Sequence, residues 1–368
     1  MKQIFFIILV ALVWVFSTIN TSGWGIANKT DLITIFLIVA WFLISKGKSK
    51  TKLQICGLNR KLLFYTFLSF VFIPVVIHGS LEGASYLTMI PLVYCFSQLE
   101  VTKTVITISG YIIAGLGLAT LYVFNKMDVL SGWNENQIAM IGLFSCMYYY
   151  ISLTGHLTLR KITIGVAISV MYVSLLQPTN ARSSILFIFI AIAIIYTNNA
   201  AKEYLGKKNA MRWSLSVPLI IAIMVVLFPD FYLFEYIKDV STSGFSKSTA
   251  FNGRDDIWKA AFERLPKNFF LGTGEFKVNH HNSAMAVLDI FGVIGYICWF
   301  KLLKKTLEIM KKYLDDEILF GCMISFLVIF WQQSLDLGFV TPLPNMVPYM
   351  ILGLGLGRVN TIRKWYQS

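Results

Sequence analysis

Residues 105–124 read VITISGYIIAGLGLATLYVF, twenty residues without a charge, with Lys103 just before them and Lys126 just after. A helix of about 20 residues rises about 30 Å, the thickness of a bilayer's hydrocarbon core. The run is too long for a strand and too apolar for a helix with one wet face, so it reads as a membrane span. Similar runs recur on either side. They are Ile4–Ile19, Leu32–Ser45, Leu62–Ile77, Gly83–Ser97, Gln137–Leu153, Ile162–Leu176, Ser183–Thr197, Ser214–Phe228, Ser283–Phe300, Ile318–Trp331 and Val347–Gly357. The pattern predicts an all-α fold: a polytopic integral membrane helical bundle of about 12 transmembrane helices.

Composition agrees. The chain has 368 residues, 56% of them apolar and 14% charged. Soluble domains run at about 45–50% apolar and about 25% charged. An ordinary soluble enzyme, a disordered chain and a disulfide-rich secreted module are thereby excluded. The five cysteines, Cys56, Cys95, Cys146, Cys298 and Cys322, form no CxxC pair and no metal-ligand spacing.

Charge gives the orientation. With the N-terminus in the cytoplasm and sides alternating, 22 of the 32 basic residues and 6 of the 19 acidic ones fall inside. The inner side then carries +16 and the outer side −3, together the observed +13. This is the positive-inside distribution, and it predicts an even number of spans with both termini cytoplasmic. The basic excess is a topology signal, which argues against a nucleic-acid partner. No small-residue cleavage site follows Phe16, so the first span reads as an anchor.

Three regions follow: residues 1–229 with nine spans, a long extracytoplasmic loop over 230–282, and residues 283–368 with three spans and a cytoplasmic tail. The loop begins with an aromatic run (Phe231, Tyr232, Phe234, Tyr236), which reads as an interfacial belt, followed by a small polar stretch, Ser241–Thr249. Ile257, Trp258, Ala261, Phe262 and Leu265 then recur at helical period, predicting an amphipathic helix over about 254–265. Asn252 suits its cap, Asp255 and Asp256 its first turn, and Pro266 its stop. Arg254 stands at the helix start, where a guanidinium and free backbone N–H groups would together meet an anion.

Other loop residues are rarer types. His280 and His281 are adjacent, two of only four histidines in the chain, and Asn282 follows. Neighbouring positions point apart, so a shared metal is disfavoured; His281 reads either as a positioned base or as a solvated side chain at a span end. Arg182, in Thr179-Asn180-Ala181-Arg182-Ser183, is a basic residue against the charge trend. It reads either as snorkelling to headgroups or as an anion ligand. Asp289 lies within a span, eight residues after His281, too far round the helix to touch it. An ionisable group at that depth is paired or functional, and a supporting role is expected. Glu135 and Asp336 are further outer-side candidates. Leu271-Gly272-Thr273-Gly274 reads as a turn.

Taken together, these residues resemble the O-antigen ligase and O-antigen (capsular polysaccharide) polymerase superfamily of bacterial membrane glycosyltransferases. The likeness rests on four features: the Thr179–Ser183 step opening a span, Gly253-Arg254 with Trp258, His281-Asn282 with Gly292 and Gly295, and the asparagines Asn134 and Asn136. Asp289 stands where the family pattern leads us to expect Glu, and the loop is compact for a ligase.

The resemblance implies a transferase in the bacterial inner membrane, acting at its periplasmic face on a glycan carried by undecaprenyl diphosphate. It implies that Arg182 and Arg254 hold the diphosphate and that His281 activates the acceptor hydroxyl. Substrate contacts would come from Asn282, His280, Trp258, Asn136 and Glu135, with Asp289 in support. No metal and no cofactor are expected. The implied partners are the undecaprenyl-diphosphate-linked oligosaccharide, the bilayer and a chain-length regulator protein. Within the superfamily, Gly253–Trp258 followed by Leu271–Gly274 looks more like a polymerase than a ligase. A lipid-linked-glycan flippase or transporter is the competing class.

Overall fold

The computed structural model describes residues 2–22, 70, 72–79, 89–126, 135–155, 158–179, 181–228, 253–276, 278, 280–336 and 345–365. Of these, 84% are helical and none is in a strand, so the fold class is all-α. The α-helices among the described residues are α1 (Lys2–Ser22), α2 (Met89–Ser97), α3 (Lys103–Lys126), α4 (Glu135–Leu153), α5 (Leu159–Leu176), α6 (Arg182–Tyr196), α7 (Asn198–Gly206), α8 (Ala210–Leu227), α9 (Arg254–Arg264), α10 (Ser283–Lys311), α11 (Glu317–Gln332) and α12 (Val347–Trp365).

Four of them, α3, α5 with its 3₁₀ extension, α8 and α10, are long and apolar enough to cross a bilayer, or five if α6 and α7, bent by 90°, count as one span. The expectation of about 12 spans is not met among the described residues. The apolar runs it rested on include short pieces. α2 and α7 have nine residues each and rise only about 14 Å. The apolar parts of α1 and α11 fall between 10 and 17 residues. The expected span Leu32–Ser45 and most of Leu62–Ile77 lie outside the described residues, as do Phe231–Tyr236, Ser241–Thr249, Asn252, Asn134 and Asn180.

At the middle of the bundle lie α4 and α11, buried on nearly every face. Around them, α3, α5, α6 and α8 turn large apolar side chains outward: Ile108, Tyr111 and Ile112; Val166, Val170 and Met171; Leu186 and Phe189; Ile220. Water would penalise such stripes, whereas lipid does not, as expected of a helical membrane protein. Between helices, cohesion comes from small residues and hydrogen bonds rather than hydrophobicity. A Cβ on Gly117 would stand 2.5 Å from Ser145 Cβ, and one on Gly353 would stand 2.6 Å from Phe96 Cβ. Trp14 Nε1 donates to Ser145 Oγ at 2.8 Å, tying α1 to α4, and Ser325 Oγ donates to the Met147 carbonyl at 2.7 Å, tying α11 to α4.

α10 is broken at Gly292 (φ 64°, ψ −174°). Breaking a helix strands carbonyls on one side and N–H groups on the other, a heavy cost away from water. The loop after α9 satisfies both. Thr273 and Gly274 donate N–H to the carbonyls of Asp289 (2.7 Å) and Ile290 (3.0 Å), while Val293 N–H reaches the Phe269 carbonyl (2.8 Å). The fit requires glycine on both sides. A Cβ on Gly272 would lie 2.3 Å from Ile290 O, and one on Gly292 would lie 2.4 Å from Phe270 O. The Gly-Thr-Gly step is therefore a strap around the break, more than the simple turn its sequence implies.

Candidate functional site

α9 supplies the first wall. Gly253, in the left-handed region at φ 77°, occupies the cap position for which the sequence offered Asn252, and Asp255 and Asp256 complement the helix's positive first turn. Trp258 and Ala261 are buried against Ala222 and Val225 of α8 and Met285 of α10, so the apolar face lies on the bundle. A 3₁₀ turn over Leu265–Asn268, with Pro266 near its start, ends the helix.

This packing holds Arg254, the first residue of α9, half-buried. Burial pushes its guanidinium below the ordinary arginine range. Asp336 counters that displacement and Arg182 adds to it by like-charge repulsion. The two arginines separated by more than seventy positions in sequence are thus within electrostatic reach of one another. Arg182 opens α6, just after a 3₁₀ turn whose buried Thr179 donates Oγ1–H to the Leu176 carbonyl at 2.7 Å.

The second wall is the segment 280–282. His281 is the one non-glycine residue with positive φ among those described, at 47°. Its Nδ1 faces Asp336 Oδ1 at 3.9 Å; His281 is partly exposed and Asp336 is buried. Backbone in that region costs about 1–3 kcal/mol for such a residue and persists only where the surroundings impose it. Asp336 also accepts from Gln332 Nε2 at 3.4 Å. One carboxylate therefore stands beside the predicted base and within electrostatic reach of one of the two predicted anion ligands. The sequence offered a signal for it in the polar step Gln332-Gln333-Ser334 that ends the apolar run of α11, but nothing that singled Asp336 out over Glu135.

His280 and Asn282 turn inward. Both are fully buried. His280 Nε2 meets Asp289 Oδ2 at 2.7 Å, and Arg264 Nη2 donates to the same oxygen at 2.8 Å. Trp258 Nε1 donates to the His280 carbonyl at 2.6 Å. Asn282 caps α10 by accepting from Met285 N–H at 3.0 Å, and its Nδ2 donates to the carbonyls of Pro218 (2.8 Å) and Ser334 (3.2 Å). Asp289 does not meet His281; its partners are His280 and Arg264, and the latter was not among the sequence candidates. Three buried atoms of this cluster, His280 Nδ1, Asp289 Oδ1 and Arg264 Nε, have no hydrogen-bond partner among the described residues.

Glu135 and Asn136 form the first turn of α4, Glu135 exposed and Asn136 half-buried. Among the described residues, no group of three or more His, Cys, Asp and Glu side chains is placed to share a metal ion. No protein-family model matches the chain, and no curated protein matches it.

What the arrangement offers chemically is an imidazole beside a carboxylate and two guanidiniums within electrostatic reach of each other. An anion with at least two negative charges would pair with both, and guanidiniums suit phosphate oxygens in geometry as well as charge.

Proposed function

We propose that the chain is a membrane glycosyltransferase that polymerises polysaccharide repeat units for O-antigen or capsule. It would transfer a glycan from undecaprenyl diphosphate to a sugar hydroxyl of another lipid-linked repeat. The protein would lie in the bacterial inner membrane with both termini cytoplasmic and the site facing the periplasm, where a chain-length regulator could meet it. One observation carries the reading: Arg254 lies within electrostatic reach of both Arg182 and Asp336, and Asp336 faces His281.

In the reaction, the acceptor hydroxyl gives its proton to Nε2 of His281, on the far side of the ring from Asp336. The hydroxyl oxygen bonds to the anomeric carbon as the bond from that carbon to phosphate oxygen breaks. Undecaprenyl diphosphate leaves with the electron pair, and Arg182 and Arg254 neutralise the charge growing on it. The donor arrives already activated, so neither a nucleotide sugar nor a metal is required; activity should survive a chelator.

A second reading, a transporter for the lipid-linked glycan, is favoured by the break at Gly292 beside buried Asp289, because broken helices with buried charges mark many transport sites. The test is purified protein in detergent with a polyprenyl-diphosphate-linked repeat. Longer glycan in a single compartment supports transfer, and an unchanged substrate overturns it. In cells, deletion leaving core capped by one repeat marks a polymerase, whereas bare core with lipid-linked polymer marks a ligase.

A further inference from the structure

His281 is held in a backbone conformation that a histidine seldom adopts, between two neighbours that cannot move independently of the bundle. On one side, His280 is fixed twice, through its carbonyl by Trp258 Nε1 (2.6 Å) and through its ring by Asp289 (2.7 Å). On the other, Asn282 is fixed three times, by Met285 N–H and by the carbonyls of Pro218 and Ser334, and the next residue, Ser283, donates its N–H to the Gln333 carbonyl at 2.9 Å. The contacts reach four separate elements: α8, α9, α10 and the end of α11. If φ of His281 relaxed to a negative value, its Cβ would swing out and carry the imidazole away from Asp336.

We propose that His280 and Asn282 are positioning residues. They pin the chain on both sides of His281 so that the strained backbone aims its imidazole at Asp336, and Asp289 anchors the first pin. The His280 carbonyl and Nε2 and the Asn282 amide are spent on this task, which distinguishes them from groups that contact substrate. The proposal rests on the reading of His281 as the base. It predicts that the pins act on the rate of the chemical step, and only through His281.

The experiment is a double-mutant cycle in the full-length protein in nanodiscs, with a polyprenyl-diphosphate-linked repeat unit as substrate. Asn282→Ala and Asp289→Asn each lower kcat roughly 10–100-fold, the range for residues that orient a reacting group, with little change in KM. In a His281→Gln background the same substitutions leave the residual rate unchanged. Asn282→Ser, which retains an oxygen for the cap, recovers part of the loss. An equal loss in both backgrounds, or a loss confined to KM, overturns the proposal. Should a variant fold poorly, carbethoxylation of His281 by diethyl pyrocarbonate, followed by mass spectrometry on the folded fraction, reads the positioning without turnover. Its rate rises severalfold when a pin is removed; an unchanged rate overturns the proposal. Wild-type protein that makes no product sinks the functional reading instead, and the modification rates still decide the positioning.

Discussion

Two charged clusters sit at the two ends of α11, and they are built on opposite principles. At its N-terminus, Arg358 donates Nη2–H to Asp316 Oδ2 at 2.7 Å and Nε–H to both Asp316 oxygens, and its Nη1 reaches the Val101 carbonyl at 3.1 Å. Asp316 also caps α11 by accepting from Leu319 N–H. Opposite charges are matched, and the guanidinium lies over the Trp365 ring. Beyond the C-terminus of α11, the burial of Arg254 is offset in part by the opposite charge of Asp336 and deepened by the like charge of Arg182, His281 is strained, and three buried atoms of the neighbouring His280–Asp289–Arg264 cluster have no hydrogen-bond partner among the described residues. A cluster evolved to hold helices together resembles the first. The second holds a half-buried cation near a like charge and a histidine in strained backbone, features that cohesion between helices does not need.

The contrast can be broken most forcefully at Arg358. Arg358→Ala leaves Asp316 without its partner, and unfolding free energy should fall by roughly 3–5 kcal/mol. Thermal unfolding in detergent reads this, while transfer per folded molecule changes little. Arg254→Gln should do the reverse. Transfer falls roughly 10²–10³-fold, as for loss of one donor aimed at developing charge, and the unfolding midpoint changes little, because the substitution relieves the burial of Arg254 and its repulsion with Arg182 but also removes its attraction to Asp336. A large fall in stability with Arg254→Gln would erase the distinction between the two ends.

Gly292→Ala should cost roughly 1–3 kcal/mol through its positive φ alone, with more from the clash against Phe270 O, and protease sensitivity should rise in the strap over residues 269–274. The smallest effect belongs to Trp258→Phe. It keeps the apolar packing but deletes the hydrogen bond to the His280 carbonyl, at a cost of about 1 kcal/mol.

Helices were legible where apolar runs are long and uninterrupted. Val105–Phe124 is observed as Lys103–Lys126, and the amphipathic spacing around Trp258 gives α9. Helix trajectories were less legible. Ser183–Thr197 reads as a span with a polar end, yet the chain turns by 90° at Thr197 into α7. A lone glycine is ordinary in apolar helices, so Gly292 gave no sign of the break; only the strap's carbonyls and N–H groups, twenty residues away, stabilise it. Apolar periodicity also cannot separate a full span from a short buried helix, so the expected number exceeds the spans found among the described residues.

In the candidate site, residue rarity singled out Arg182 and His281, and its place at a helix start singled out Arg254. It could not find their arrangement, because Asp336 comes from beyond α11 and Arg264 from the far end of α9. Helical geometry placed Asp289 out of reach of His281 on the premise that both share a helix, but α10 begins at Ser283, so both histidines lie outside it, and His280 folds back onto Asp289.

The central claim is that the paired arginines bind a diphosphate. The most direct measurement is titration of a polyprenyl-diphosphate-linked sugar into nanodisc-embedded protein, comparing wild type with Arg182→Gln and Arg254→Gln. We expect each substitution to weaken binding by about 10–100-fold, the loss of one charge-assisted phosphate contact, and high salt to weaken wild-type binding more than that of either variant. Equal affinities for all three proteins would contradict the account.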